Sequence, residues 1–284
     1  MRGWLAVLMG LVVLAGCSAA SHPQSGLSAV AADRASGAVN SPSTSPSTSP
    51  TPSPSPSPAF RQVLGLGDSV TAGNACGCTD FVRLLARELT LRTGQDVTPT
   101  NLGHAGQTSG QLLALVRSDQ ATRSAVRAAD VVLVTIGAND LVPALRGWDD
   151  GRCDDDCASS DVDAITSRVA AIVREVHALR AGQPTRVLAT NYWNVFEDGE
   201  VARADRGEAY LGWSDRLTRA FDAALCPKVE AEGATCLDLY APFKAADGSA
   251  DPSALLADDG DHPNAAGHAL IARVMLAQLL GSSR

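Results

Sequence analysis

Four short segments of this chain carry side chains that together could perform nucleophilic acyl chemistry. In chain order they are residues 67–69, 101–106, 137–140 and 259–262. A serine hydroxyl is a weak nucleophile at neutral pH, so Ser69 needs a base, and the neutral imidazole of His262 suits that task. Asp259 could accept the other ring N–H of His262 and stabilise the imidazolium that forms. The set predicts a serine hydrolase.

Each segment also has a structural explanation when it is taken alone. Ser69 could cap a helix, Asn139 could lie in a turn, and residues 259–262 could form a polar loop before the last helix. The order and number of the segments favour the catalytic interpretation. The chain contains no Gly-x-Ser-x-Gly segment, which argues against the nucleophile elbow of an α/β-hydrolase.

The elements that must position these side chains follow from the hydropathy pattern. Short aliphatic runs predict strands at residues 63–66, 131–136, 187–190 and 236–239, with a weaker one at 97–102. Amphipathic stripes predict helices that include residues 81–89, 165–179 and 270–279. The run at 131–136 is aliphatic throughout, which favours a central parallel strand. Strands and helices that alternate in this way predict a three-layer α/β/α domain.

The segments fall where a parallel sheet binds its ligands. Ser69 follows the first predicted strand, residues 101–106 follow the second, and Asn139 follows the third. The loops at the carboxyl ends of parallel strands form a common crevice. We therefore expect these residues to share one site.

The four segments resemble the four sequence blocks of the SGNH, or GDSL-type, hydrolases. The matching blocks are residues 67–73, 101–108, 137–140 and 259–263. The resemblance implies a flavodoxin-like parallel sheet, here of five strands, and hydrolysis of esters or related acyl bonds. It also implies that Asp259, rather than Asp261, is the carboxylate that orients His262, because Asp259 matches the family spacing.

The resemblance further implies an oxyanion hole for the alkoxide that forms on attack. Its donors would be the backbone N–H groups of Ser69 and Gly106 and the side-chain amide of Asn139. The spacing from Asn101 selects Gly106 over Gly103 for this role. Three donors would then meet at one oxygen atom.

The first residues predict a targeting segment. An apolar run at residues 4–15 is short for a permanent membrane span and leads into Leu-Ala-Gly-Cys, which resembles a bacterial lipobox. We expect a signal peptide at residues 1–16 and a lipid on Cys17, which would anchor the chain outside the cytoplasmic membrane. The alternative is an ordinary cleaved signal with its site at residues 18–20, which would make the protein secreted.

The segment that follows, residues 17–58, has few bulky apolar side chains and ends in Ser/Thr-Pro repeats. Such a composition cannot bury enough surface to fold, and proline favours an extended chain. We expect a disordered stalk that holds a hydrolase domain, residues 59–284, away from the membrane.

Cysteine usage favours an oxidising compartment. Without Cys17 the chain has six cysteines, an even number that fits three disulfides. Cys226 and Cys236 are expected to pair across a helix-to-strand connection. The other four lie in two loops, Cys76 and Cys78 after Ser69, and Cys153 and Cys157 after Asn139. For these we expect two bridges between the loops rather than two local rings; a four-thiolate zinc site is the disfavoured rival.

Charge and motif content limit the partners. The formal net charge is −8 and no long Lys/Arg cluster is present, which argues against nucleic acid and against electrostatic capture by anionic lipid. No cofactor fingerprint appears, so we expect catalysis without a cofactor or metal. We expect a monomer that contacts the membrane through its N-terminal lipid only.

The substrate is expected to be a small or medium acyl ester, carried by a lipid or an acylated glycan. Four large aromatic residues could line its pocket or belong to the core: Trp148, Tyr192, Trp193 and Trp213. Two alternatives remain open. A surface acyltransferase on glycans would use the same serine, and a non-catalytic carbohydrate-binding or adhesion module would not use it.

Overall fold

The computed structural model describes residues 60–153 and 157–281. All of them fall within one compact unit, Ser55–Arg284. The predicted signal peptide, the lipid site at Cys17 and the stalk lie outside the described residues. Within those ranges no helix is both long and apolar enough to cross a bilayer.

The described residues contain one sheet of five parallel strands. These are β1 Gln62–Gly67, β2 Thr98–Gly103, β3 Val131–Thr135, β4 Arg186–Thr190 and β5 Thr235–Leu237. Their order is β2-β1-β3-β4-β5, which is that of flavodoxin-like sheets. All five residues of β3 are buried, in agreement with a central strand. The fold-class prediction is confirmed, and β5 is shorter than its aliphatic run suggested.

Ten α-helices surround this sheet in the described ranges. They are α1 Ser69–Ala72, α2 Phe81–Thr93, α3 Ser109–Ser118, α4 Gln120–Ala128, α5 Val142–Asp149, α6 Ser159–Arg180, α7 Gly199–Asp205, α8 Glu208–Ala231, α9 Tyr240–Lys244 and α10 Ala265–Leu280. Helix α2 packs against α10, and α6 packs against both α3 and α8. Because parallel crossovers are right-handed, the strand order places α2 on one face and α3, α6 and α8 on the other.

The register of the central strands brings the predicted segments to one edge. Gly67, the last residue of β1, is paired with Gly103 of β2 on one side and with Thr135 of β3 on the other. Three strands therefore end at the same level. The loops that carry Ser69, Gly106 and Asn139 leave the sheet side by side.

The disulfides are Cys76–Cys78, Cys153–Cys157 and Cys226–Cys236. The last of these joins α8 to β5, as expected. The expectation of two bridges between the loops is wrong, because each of the two loops closes its own ring. The Cα atoms of the two local pairs are 5.0 and 5.3 Å apart, within the range that a disulfide spans. The bridges brace the nucleophile loop and the loop after α5 separately.

Candidate active site

Ser69 is the first residue of α1 and lies directly beyond the carboxyl end of β1. The turn before it requires Gly67, whose φ is +156° and where a Cβ atom would overlap the carbonyl oxygen of Thr135. The backbone N–H of Asp68 donates to that same oxygen over 3.1 Å. The Asp68 carboxylate then caps α1 by accepting the N–H of Val70 at 3.0 Å. The start of α1 is thus fixed to the central strand of the sheet.

His262 and Asp259 lie together on the loop before α10. Nδ1 of His262 is 2.7 Å from Oδ2 of Asp259 and 3.9 Å from Oδ2 of Asp261. The other oxygen of Asp259 accepts the backbone N–H groups of His262 and Asp261, each at 3.0 Å. One carboxylate therefore both holds the imidazole and shapes the loop, whereas Asp261 is beyond hydrogen-bond distance of the ring.

The surroundings of Asp259 keep it ionised. Partial burial by itself raises the pKa of this carboxyl, but the backbone N–H and imidazole of His262 and the backbone N–H of Asp261 together outweigh it. The pKa of Asp259 is consequently lowered from its ordinary value. An ionised carboxylate is what an imidazole needs beside Nδ1 in order to accept a proton at its other nitrogen.

Ser69, Asn139 and His262 line one cavity of about 150 Å³. Its further walls come from Val142 and Leu145 on α5, from residues 192–197 after β4, and from Asp261. The predicted nucleophile and the predicted base, almost two hundred positions apart in the sequence, thus share a site. Asp259 stands behind His262 and is not part of the lining.

Asn139 and Gly106 lie on adjacent loops beside this cavity. Asn139 belongs to a short 3₁₀ helix, Ala138–Leu141, that follows β3. Its Nδ2 donates to the carbonyl oxygen of Gln107 at 3.0 Å. One of the two amide hydrogens is thereby held against the loop of Gly106, and Asn139 itself lines the cavity. Gly106 itself is exposed, with a φ of +75°, and is not among the lining residues.

Two further residues of the 101–108 segment, Gly103 and Asn101, support the turn that carries Ser69. A Cβ atom on Gly103 would overlap the backbone nitrogen of Ala72, so only glycine lets β2 approach α1 this closely. Asn101 donates through Nδ2 to the carbonyl oxygen of Thr71 at 2.7 Å. The block therefore connects β2 to the helix that begins with Ser69.

Asp140 holds the asparagine turn in place. Its carboxylate accepts both the backbone N–H and the hydroxyl of Ser109, each at 2.7 Å. The guanidinium of Arg168 donates to the same carboxylate at 3.1 Å. The turn that carries Asn139 is in this way attached to α3 and α6.

Sequence reasoning missed the closest partner of the nucleophile turn. The hydroxyl of Tyr192 donates to Oδ2 of Asp68 at 2.5 Å, and both side chains are buried. Burial raises the pKa of Asp68 to about 6, although the hydrogen bonds from Tyr192 and Val70 act in the opposite direction. Burial beside this carboxylate also raises the pKa of Tyr192 well above its ordinary value. The only signal in the sequence is that Tyr192 follows β4 at the same edge of the sheet.

The four large aromatic residues divide between the cavity and the core. Tyr192 and Trp193 line the cavity, and Trp193 also stacks on Phe243 with ring centres 4.3 Å apart. Trp213 is buried and stacks on Trp148 with ring centres 4.9 Å apart. This second pair is outside the cavity lining and joins α5 to α8.

Only one group of potential metal ligands is found among the described residues. The side chains of Cys76, Cys78 and His268 bring one donor atom each within 4.8 Å of one another. The two sulfur atoms are bonded to each other in a disulfide, so the imidazole is the one donor left. A single imidazole does not make a metal site.

The chain matches the model of the GDSL-like lipase/acylhydrolase family over residues 66–270. No curated protein matches the chain.

Several solved structures share the fold. A lipase from a goat rumen metagenome superposes with a TM-score of 0.65 at 19% identity, covering 78% of this chain and 99% of its own. An acetylxylan esterase from Geobacillus stearothermophilus superposes with a TM-score of 0.55 at 20% identity, covering 79% of this chain and 97% of its own. A lipase/acylhydrolase from Enterococcus faecalis superposes with a TM-score of 0.51 at 18% identity, covering 78% of this chain and 96% of its own. At such identities the likeness concerns the fold.

Proposed function

Because this chain belongs to the GDSL-like lipase/acylhydrolase family, we propose that it is an esterase that cleaves carboxylic esters through an acyl intermediate on Ser69. The observation that carries the proposal is the cavity lined by Ser69, Asn139 and His262, with Asp259 at 2.7 Å behind the imidazole. A nucleophile, a base, an orienting carboxylate and an oxyanion donor are the parts that acyl transfer needs.

In the first half of the reaction, Oγ of Ser69 attacks the ester carbonyl carbon while Nε2 of His262 takes the hydroxyl proton. The carbonyl π electrons move to the oxygen, and the resulting oxyanion is held by the N–H groups of Ser69 and Gly106 and the amide of Asn139. The oxyanion then collapses, the ester C–O bond breaks, and the imidazolium gives its proton to the departing alcohol.

In the second half, water replaces the alcohol. His262 removes a proton from the water as its oxygen attacks the acyl-serine, and the same oxyanion donors serve again. Collapse releases the carboxylic acid and returns the proton to Oγ of Ser69. Throughout, the ionised Asp259 stabilises the positive charge that forms on the imidazole.

The substrates we propose are small or medium acyl esters of a lipid or of an acylated glycan. The apolar walls of the cavity and its limited volume support this class. Among the proteins of similar fold are a lipase and an acetylxylan esterase. The protein would act as a monomer and without a cofactor.

We also propose that the enzyme acts outside the cytoplasmic membrane, anchored by a lipid on Cys17. The support is the lipobox-like segment that ends at this cysteine. Mass spectrometry of the N-terminal peptide from the native host should find a diacylglyceryl group on Cys17. A Cys17→Ala variant should remain unprocessed. Cleavage within residues 18–20, with the protein free in the medium, would show an ordinary secreted enzyme instead.

The central test is hydrolysis of p-nitrophenyl esters from acetate to palmitate by the mature chain and by Ser69→Ala. We expect the folded Ser69→Ala variant to lose about 10⁴-fold or more in kcat/KM. Ser118→Ala is the control, because that exposed hydroxyl donates to Ala114 of its own helix and Ser118 does not line the cavity. A fluorophosphonate should label the wild type and not Ser69→Ala.

The same preparation distinguishes an esterase from an acyltransferase and from a non-catalytic binding module. Product analysis with an added glycan acceptor distinguishes water from a sugar hydroxyl as the second nucleophile. Failure of both ester hydrolysis and fluorophosphonate labelling would end the proposal and would leave a binding module.

A further inference from the structure

The cavity beside Ser69 is small for an ester-binding site. Its volume is about 150 Å³, whereas pockets for drug-sized ligands hold roughly 300–1,000 Å³. An apolar cavity of about 150 Å³ is filled by one benzene ring, which has six heavy atoms. A bound ester of the proposed kind can therefore place only a few carbon atoms inside it.

The chemistry of the site assigns a direction to the acyl chain. The departing alcohol must lie at His262, because the imidazole gives it a proton, and the carbonyl oxygen must lie at Asn139. The acyl chain then extends towards the apolar part of the lining, to which Val142 and Leu145 of α5 belong. The polar lining residues Glu197 and Asp261 are on the loops beside His262. Trp193, Val195 and Phe196 of the loop after β4 are apolar lining residues too, but all three are buried, whereas Val142 and Leu145 are only partly buried. Helix α5 is therefore the apolar wall whose side chains keep the most open surface.

Val142 and Leu145 are one helical turn apart and present the same face of α5. Both are partly buried against the core, and each keeps some surface towards the cavity. The next residue of this stripe, Trp148, stacks on the buried Trp213. After the helix, the N–H of Cys153 donates to the carbonyl oxygen of Gly147 at 3.0 Å. The stack joins the end of α5 to α8, and the hydrogen bond joins it to the loop that follows.

We propose that the site accepts short acyl groups, of up to about four carbon atoms, and that the side chain of Leu145 sets this limit. The inference rests on the proposed esterase function. It narrows the substrate class to acetyl, propionyl and butyryl esters and names Leu145 as the residue that determines specificity.

The first experiment measures kcat/KM of the mature chain for p-nitrophenyl acetate, butyrate, hexanoate, octanoate and decanoate. The wild type should hydrolyse butyrate at least as well as acetate and lose at least tenfold in kcat/KM from butyrate to octanoate. In Leu145→Ala the hexanoate-to-butyrate ratio should rise by about fourfold for each methylene that the enlarged cavity newly buries. This ratio compares kcat/KM for two substrates of the same preparation, so it does not depend on the fraction of the variant that is folded.

Leu115→Ala is the matched control, because Leu115 lies on α3, is 38% exposed and does not line the cavity. Its hexanoate-to-butyrate ratio should equal that of the wild type. The proposal is overturned if the wild type hydrolyses octanoate or decanoate faster than butyrate. It is equally overturned if Leu145→Ala changes the ratio no more than Leu115→Ala does.

A second measurement needs no turnover. NMR titration of the Ser69→Ala variant with 2-pentanone and with 2-undecanone compares a short and a long carbonyl ligand. The short ketone should bind more tightly, and the Ser69→Ala/Leu145→Ala double variant should reduce or reverse the difference. If no ester is hydrolysed but this preference is found, the esterase proposal fails and the size limit stands. Equal or tighter binding of 2-undecanone to Ser69→Ala overturns the size limit whatever the activity.

Discussion

The hydroxyl of Tyr192 donates a 2.5 Å hydrogen bond to the carboxylate of Asp68, the residue directly before the candidate nucleophile. The same carboxylate caps α1 through the N–H of Val70. A buried tyrosine from the loop after β4 thus holds the turn that follows β1, with β3 between the two strands. The position of Ser69 depends on this pair as well as on its own loop.

We expect Tyr192→Phe to lower the free energy of unfolding by about 2 kcal/mol, because it leaves a buried carboxylate with one partner fewer. The loss should depend on pH. Burial already raises the pKa of Asp68 to about 6, and the Tyr192 hydrogen bond is the main interaction that opposes it. Without that bond the pKa rises further, so the variant should lose more stability at pH 8, where Asp68 is ionised, than at pH 4.

Urea unfolding at pH 4 and pH 8 measures this difference. Tyr240→Phe is a suitable control, because Tyr240 donates to Asp215 at 2.5 Å in the same kind of pair but outside the cavity. Tyr192→Phe should also reduce kcat by roughly tenfold with little change in KM, while Tyr240→Phe should leave both unchanged. Equal destabilisation of Tyr192→Phe at the two pH values would contradict the proposed coupling.

The two carboxylates beside His262 should differ in their effect on catalysis. Nδ1 is 2.7 Å from Asp259 and 3.9 Å from Asp261. In Asp259→Asn the amide can donate to Nδ1 and favour the wrong tautomer, so kcat/KM should fall by about 10²- to 10⁴-fold. Asp261→Asn should cost roughly tenfold or less. The measurement is kcat/KM for ester hydrolysis by the two aspartate variants and by His262→Ala. Comparable losses in Asp259→Asn and Asp261→Asn would show that Asp259 is not the carboxylate that orients His262.

The parts of this site that the sequence predicts are those that depend on strand order alone. Ser69 and Asn139 follow aliphatic runs, and parallel strands bring their carboxyl ends together, so a shared site could be inferred without coordinates. The Tyr192–Asp68 pair could not be inferred, since it joins residues 124 positions apart and depends on the path of the loop after β4. Leu145 was missed because the hydropathy pattern predicted no helix between the third strand and residue 165, whereas the structure has α5 there.

The disulfides likewise divide into one pair that the sequence predicts and two that it does not. The pairing of Cys226 with Cys236 follows from two neighbouring elements, α8 and β5, whose contact is local in sequence. The loops after α1 and after α5 lead away from the same edge of the sheet, which made bridges between them plausible. Their actual pairing is local and depends on backbone turns that the sequence does not specify.

We expect loss of the Cys226–Cys236 bridge to lower stability without loss of activity. The bridged residues are 10 positions apart, and opening a loop of that length costs about 3 kcal/mol in the chain-entropy description. Cys236 lies in β5 away from the cavity lining. A Cys226→Ser/Cys236→Ser variant should therefore unfold at lower urea concentration and keep the kcat/KM of the wild type. A large loss of activity in folded protein would show that this edge of the sheet influences the site.

His268 couples the stability of the fold to mild acid. Its ring is fully buried in α10, stacks on Phe81 with ring centres 5.9 Å apart, and has no hydrogen-bond partner for either nitrogen within the described part of the chain. Burial lowers the pKa of His268 to about 4; nearby Asp80 acts to raise it and His262 to lower it. The folded state therefore binds fewer protons than the unfolded chain between about pH 6.5 and 4.

The stabilising contribution of a neutral His268 is accordingly complete above pH 6.5 and is lost as the pH falls towards 4, by roughly 3 kcal/mol in total. His268→Phe keeps an aromatic ring against Phe81 and removes the titration, so its free energy of unfolding should fall less between pH 7 and pH 4 than that of the wild type. Leu115→Ala, which changes an exposed side chain of α3 and no titratable group, should keep the wild-type slope. Urea unfolding at half-unit pH steps measures all three slopes. A His268→Phe slope equal to that of the wild type would mean that the imidazole is protonated in the folded protein, by a rearrangement that gives it a partner.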